Sequence, residues 1–185
     1  MGTIVEIRFG TYDTRRNLPL PSGRRRGEAL FLGAFLRALV QKSSVPHVCA
    51  RNFSVPACGV ADCISLQFDS KDPTNVEAAR LVAFEAKLSD WRRALAQAYR
   101  YRYYAELAVV VLPADVARRA VQNRSIFKQA GVALWTFDPS TGSIVTRIAA
   151  KETPALNPKK KEHALGLFKR RSIQLRKLRE GAEAF

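Results

Sequence analysis

The alternation of apolar and polar positions divides the chain into short, separate elements. Residues 3–9 alternate, with Val5, Ile7 and Phe9 on one face of an expected strand. The basic, Pro- and Gly-containing stretch from Arg15 to Arg26 reads as an exposed loop. Gly27 to Gln41 has helical spacing, with an apolar stripe of Leu30, Phe31, Ala34, Phe35 and Leu39. Pro46 stops any continuation, because its ring removes a donor and clashes with the preceding turn. Two strands follow, His47 to Val55 and Gly59 to Phe68, with Pro56 and Gly59 at the turn between them. In the second, Val60, Asp62, Ile64 and Leu66 share a face. Asp69 to Asn75 is a polar turn cluster. In the next strand Ala83, Glu85 and Lys87 point one way, and Val82, Phe84 and Ala86 the other.

Asp90 to Tyr104 is helical in composition, and Ser89 is the expected N-cap, its hydroxyl accepting from a first-turn N–H. Leu107 to Leu112 is a continuous apolar run, the pattern of a strand buried on both faces. Ala114 to Ala130 reads as one helix closed by Gly131. Val132 to Phe137 and Ser143 to Ile148 are strands joined by an Asp-Pro-Ser-Thr-Gly turn. The order helix, three strands, helix, strand, helix, two strands predicts an α/β layered fold with a mixed sheet. Three regions result: an N-terminal strand and basic loop over 1–26, a core domain over 27–150, and a basic extension over 151–185. Within the extension, Leu165 to Leu178 has the pattern of a basic amphipathic helix. There is no internal repeat.

Composition adds a core and a partner. Hydrophobic residues make up 47% of the 185, enough for one folded domain and too many for a disordered chain. The 31 Lys and Arg against 16 Asp and Glu give a formal charge of +15, which favours a polyanionic partner, since neutralising phosphates releases counterions. An anionic membrane surface is the competing partner. The longest apolar stretch, Ala29 to Val40, is interrupted by Arg37 and is too short to span a bilayer. Glu6 and Arg8 break the apolar run that a signal peptide needs. The chain is therefore expected to be cytoplasmic and unprocessed, with no membrane partner.

Cys49, Cys58 and Cys63 form no CxxC pair and are expected to be reduced thiols. With His47 they put four zinc-type ligands in a short window, but the spacing matches no zinc module. Helix-turn-helix, P-loop and dinucleotide-binding motifs are absent, so nothing supports an ATPase or an oxidoreductase.

The candidate chemistry lies at Glu85 and Lys87. Two apart on a strand, they point the same way, and desolvating an acid and a base beside apolar neighbours is costly without a purpose. Asp62 lies in the preceding strand and approaches Glu85 if the two strands pair. Phosphodiester hydrolysis calls for such a set. A divalent metal stabilises charge on the attacking and leaving oxygens, and hard Mg²⁺ takes carboxylate oxygens plus several waters.

The run Val60-Ala61-Asp62-Cys63-Ile64, followed by Val82-Ala83-Phe84-Glu85-Ala86-Lys87, resembles the PD-(D/E)XK nuclease superfamily. The stretch from Ser89 to Ala98 resembles the helix after the catalytic strand, and Gln97 with Tyr101 reproduces the Q-x-x-x-Y pattern of the RecB-like branch. The resemblance covers roughly residues 28–149, and it departs from the family pattern at Ala61, where a Pro is usual. It implies a restriction-endonuclease-like three-layer core, a mixed central sheet flanked by helices. It further implies that Asp62 and Glu85 bind Mg²⁺, for which Mn²⁺ can substitute, and that Lys87 assists the attacking water. Gln97 would join the catalytic group, with Tyr101 as an additional site residue. Glu28 reads first as a first-turn acid facing the helix dipole, and second as a further acidic group near the metal. Homodimers that cut both strands are common in the family, so a homodimer is also implied.

Contacts to nucleic acid, DNA by the resemblance, are expected from Arg24, Arg25, Arg26, Arg93, Arg100, Lys159, Lys160, Lys161, Lys169, Arg170 and Arg171. The Tyr-Arg-Tyr-Arg-Tyr-Tyr run from Tyr99 to Tyr104 suits base stacking with phosphate contacts. A helix end that buries half the rings and exposes the arginines accounts for the same pattern. The expected function is a metal-dependent deoxyribonuclease. The alternatives are a non-catalytic nucleic-acid-binding protein of the same fold and a basic assembly module of a larger complex.

Overall fold

Two apolar cores, one on each face of a six-stranded sheet, organise the protein. The computed structural model describes residues 24–43, 47–68 and 78–168, with the side chains of all of these but residues 24–26 and 48. The strand expected over 3–9, the polar turn over 69–75 and the tail beyond 168 lie outside the described residues.

The chain runs through helix α1 (Arg24–Lys42), strands β1 (His47–Val55), β2 (Gly59–Gln67) and β3 (Arg80–Ala86), helix α2 (Trp91–Tyr101) and strand β4 (Leu107–Leu112). Helices α3 (Ala114–Val121) and α4 (Arg124–Ala130) then lead to strands β5 (Val132–Asp138) and β6 (Ser143–Ile148). A last helix, α5, covers residues 158–168. The strands lie in chain order across the sheet. Neighbours pair antiparallel except β3 with β4 and β4 with β5, which are parallel, so the sheet is mixed as the element order predicted. All six residues of β4 are buried, which is why its sequence is an unbroken apolar run.

On one face, α1 sets Phe35 edge-on against Phe84 at 5.4 Å and Phe137 at 5.6 Å. On the other, α2, α3, α4 and α5 bring Ala98, Ala120, Phe127 and Leu165 against Leu81, Ala83, Val110 and Leu134. The result is three layers, helix on sheet on helices.

Four local expectations are corrected. Arg24, Arg25 and Arg26 belong to the first turn of α1 rather than to a loop, since nothing between Arg24 and Gly27 breaks a helix and Arg is a good helix former. Asp90, not Ser89, caps α2, because its carboxylate accepts from Arg93 N at 3.0 Å. The helix expected from Ala114 to Ala130 is two helices. At the break, Asn123 turns its amide Nδ2 to Arg119 O at 3.2 Å and its backbone N to Ala120 O at 2.9 Å, a local alternative to the helical ladder. The break lets Val116 and Ala120 of one helix and Phe127 of the other reach the same core.

The fourth correction concerns the extension. Its helix begins at residue 158, not at 165, with Asn157 Oδ1 accepting from Lys160 N at 3.2 Å. Residues 151–157 lie along the turn after α2: Thr153 N donates to Glu106 O, Leu156 N to Arg102 O and Asn157 N to Tyr103 O, at 3.3, 2.9 and 3.1 Å. Ala164, Leu165 and Phe168 are buried in the core, and Phe168 stacks on Phe53 at 4.9 Å.

Cys49, Cys58 and Cys63 are free and buried. No described helix is long and apolar enough to cross a membrane.

Candidate active site

The site forms where β2 and β3 part. Their ladder runs from Gln67↔Arg80 to Cys63↔Phe84. The next positions in that register are Asp62 and Glu85. There the Asp62 carboxylate takes over from the ladder, its Oδ2 accepting from Ala86 N at 2.9 Å. The β1–β2 ladder passes from Arg51↔Cys63 to Phe53↔Ala61, and Asn52 between them is left-handed with φ 49°. This kink breaks the alternation expected along β2. Ala61 and Ile64 both face the α2-side core, while Val60, expected beside Ile64 and Leu66, is 50% exposed.

Glu85 points to the α2 side and is fully buried. Its Oε2 lies 2.6 Å from the Tyr101 hydroxyl and its Oε1 lies 2.8 Å from Lys87 Nζ. The same ammonium lies 3.6 Å from Asp62 Oδ2 and donates to Ala86 O at 3.4 Å. Three hard oxygens thus converge on one cation, at the carboxyl end of β3 beside parallel β4, where open α/β sheets bind ligands. Lys87 N donates to Val111 O at 3.2 Å, which fixes the backbone that carries the lysine. The site opens on its outer side: the Asp62 side chain is 26% exposed and that of Lys87 15%.

Burial is the largest influence on both acids and pushes each above its ordinary value. For Asp62 the Lys87 charge and the Ala86 N–H pull the other way. For Glu85 the Asp62 charge adds to burial, while Lys87 and the Tyr101 hydroxyl oppose it. Burial works against the Lys87 ammonium, but Glu85 and Asp62 outweigh it and the net shift is upward.

Tyr101 has one hydroxyl proton and two oxygens in reach, Glu85 Oε2 and, at 2.8 Å, Val60 O. With Glu85 ionised, the proton turns to the carboxylate. With Glu85 protonated, the acid can donate to the phenol and the phenol to Val60. Tyr101→Phe removes a bond that favours the ionised acid, so the pKa of Glu85 should climb further. The titration of the Glu85 carboxyl, followed by NMR, should then move to higher pH, and the orphaned buried oxygens should cost about 1–3 kcal/mol of stability. An unmoved titration would show that the hydroxyl does not hold Glu85.

Glu28 is the fifth residue of α1, so the first-turn role expected for it is displaced by the earlier helix start, and the first turn holds no acid. A Cβ at neighbouring Gly27 would meet Leu88 Cδ1 at 3.0 Å, which sets this end of α1 against the end of β3. The Glu28 charge is the weakest of the influences on Asp62 and on Lys87, raising the pKa of each. Gln97 precedes Tyr101 by one turn on the same face of α2, and its Oε1 is buried with no hydrogen-bond partner among the described residues.

The structure thus assembles Asp62, Glu85, Lys87 and Tyr101. The backbone groups of Val60 and Ala86 complete the site, and no side-chain pattern could announce them. The expected nucleic-acid contacts are scattered. Arg93, Arg100 and Lys159 are exposed, Lys160 Nζ donates to Pro56 O at 2.8 Å, and Lys161 pairs with Glu106. Lys169, Arg170 and Arg171 lie outside the described residues. No three His, Cys, Asp or Glu side chains gather as a metal site among the described residues, so the site offers two carboxylates.

Fold and site together define an α/β protein with a mixed six-stranded sheet and a paired acid–lysine cluster at its centre. No family model and no curated protein matches the chain. A solved structure of a protein of unknown function from Silicibacter pomeroyi is similar, with a TM-score of 0.55 at 15% identity over 84% of this chain and 93% of that one. At that identity the likeness speaks for the fold alone.

Proposed function

We propose that this chain is a metal-dependent nuclease that hydrolyses DNA phosphodiester bonds on a restriction-endonuclease-like core. One observation carries the reading: Asp62 and Glu85 flank a single ammonium, that of Lys87, at the carboxyl end of a central strand. The donor set fits Mg²⁺ or Mn²⁺. Carboxylate and carbonyl oxygens are the ligands hard cations take, and Mg²⁺ keeps several waters, so two carboxylates suffice. When bound, the ion would supply Lewis-acid polarisation of the phosphate and hydroxide near neutral pH.

The protein's own groups set the rest. Asp62 and Glu85 would hold the ion, and Ala86 O stands beside them. Lys87 lies beside both acids, which supports a role in orienting the attacking water or offsetting charge on the phosphate. Tyr101 anchors Glu85 from behind, and Ala86 N anchors Asp62.

The test is cleavage of supercoiled, linear and branched DNA, and of RNA, by pure protein with Mg²⁺, with Mn²⁺ and with chelator. Cutting that needs the metal is expected. Tight, salt-sensitive binding without cutting on any substrate would reassign the chain to a binding protein.

A further inference from the structure

We infer that the outer face of the α2 C-terminus and of the turn after it is a docking surface for an unpaired nucleic-acid strand, seated on Tyr99 and Tyr103 with Arg100 beside them. The tyrosine run splits by burial. Tyr101 and Tyr104 are fully buried, whereas Tyr99 and Tyr103 are 43% and 40% exposed. The two exposed rings meet edge to face at 6.4 Å with an interplanar angle of 85°.

Ring exposure selects the ligand. Bases within a duplex are stacked on one another and leave no free face for a tyrosine ring. A single strand can splay its bases onto such rings, and stacking on aromatic rings is the common mode of single-strand binding. Charge agrees: α2 contains no acidic residue, and Arg92, Arg93 and Arg100 are all exposed on it.

The face adjoins the β1–β2 turn, from which β2 runs to Asp62. A Cβ at Gly59 would lie 3.7 Å from the Arg100 guanidinium, and Lys160 is bound to Pro56 O across the same β1–β2 turn. Exposed Val60 follows Gly59, and Asp62 comes two residues later. Under the nuclease reading, on which this choice of substrate rests, the strand held there leads to Asp62 and Glu85. Flaps, gaps or single-stranded ends become the favoured substrates.

Fluorescence anisotropy with labelled oligo-dT and with a blunt duplex, in chelator, tests the assignment. Tyr99→Ala with Tyr103→Ala should weaken oligo-dT binding about tenfold or more, and duplex binding less than about twofold. Tyr99→Phe with Tyr103→Phe should keep the affinity, because the ring faces remain. Arg100→Gln should weaken both probes and flatten the salt dependence by about one charge. Equal loss on both probes, or loss on neither, overturns the assignment. Unchanged oligonucleotide affinity with altered self-association also overturns it, and gives the face to a protein contact. Binding read without divalent metal does not depend on whether the chain cuts, so failure of the nuclease reading would show separately.

Discussion

Under the proposed nuclease function, Glu85→Gln and Lys87→Ala should each abolish metal-dependent cleavage, with losses of at least about 10²–10³-fold, the scale of removing one group that stabilises transition-state charge. The two should fail differently. Glu85→Gln removes an anionic ligand, so metal affinity should fall with activity. Lys87→Ala leaves both acids and removes the cation that offsets them, so metal should still bind while turnover falls. Titration of each variant with Mn²⁺, beside cleavage rates, separates the two. Retention of more than about a tenth of wild-type activity in either would remove that residue from the mechanism.

The same glutamine should stabilise the metal-free protein. Burial raises the pKa of Glu85 in the folded state, so the folded chain binds that proton more tightly than the unfolded chain. Stability from this group is therefore lost as pH rises from the ordinary carboxylate range through the raised value, and it stays lost above it. Near neutral pH, Glu85→Gln should melt higher than wild type. Below the ordinary carboxylate range the difference should vanish. A chain of this size gains roughly 2–4 °C in Tm per kcal/mol. A lower Tm at neutral pH would mean that Lys87 repays the burial of the charge in full.

Gly131→Ala should destabilise the fold by roughly 2–4 kcal/mol, combining left-handed strain with overpacking. Gly131 closes α4 at φ 63° and ψ 34°. A Cβ there would fall 2.1 Å from Arg102 Nη1. Arg102 cannot readily yield. It is 6% exposed, donates to Gly131 O at 2.6 Å, and bonds Thr153 Oγ1. Its own carbonyl holds Leu156 N. Displacing it should loosen residues 153–157, and with them the seat of α5. Gly142→Ala is the control. Gly142 has φ 66° but nothing within 4 Å of a Cβ, so only the strain of about 1–2 kcal/mol should appear. Thermal melts of the two variants isolate the Arg102 clash as their difference. Equal melts would show that Arg102 moves aside without cost.

Much of this architecture is written in local pattern. Alternation along β2 and β3, the apolar run of β4 and the turn at Asp138–Gly142 place the strands within a residue or two, because burial on a sheet face repeats every second residue. The same rule turns Glu85 and Lys87, two residues apart at the end of β3, to one side. It fails at Val60, because the left-handed Asn52 across the ladder breaks the repeat.

Boundaries were less legible. Ser89 and Asp90 are both capable caps, and only the turn geometry chooses between them. No Pro or Gly marks the break between α3 and α4. It follows from the need of Val116, Ala120 and Phe127 to share one core. Tyr99 and Tyr103 differ from Tyr101 and Tyr104 only through where α2 ends and how the following turn folds back.

The sequence by itself determined the order of the described strands, the mixed α/β layering, the basic charge and the presence of an acid and a lysine two residues apart at the end of β3. These depend on local periodicity and composition. The tertiary structure alone decided that Asp62 meets Lys87 and Glu85, that Tyr101 reaches both Glu85 and Val60, and that Ala164, Leu165 and Phe168 join the core. Each of those facts is a distance between segments far apart in the chain, fixed by strand register and layer packing, which no local pattern encodes.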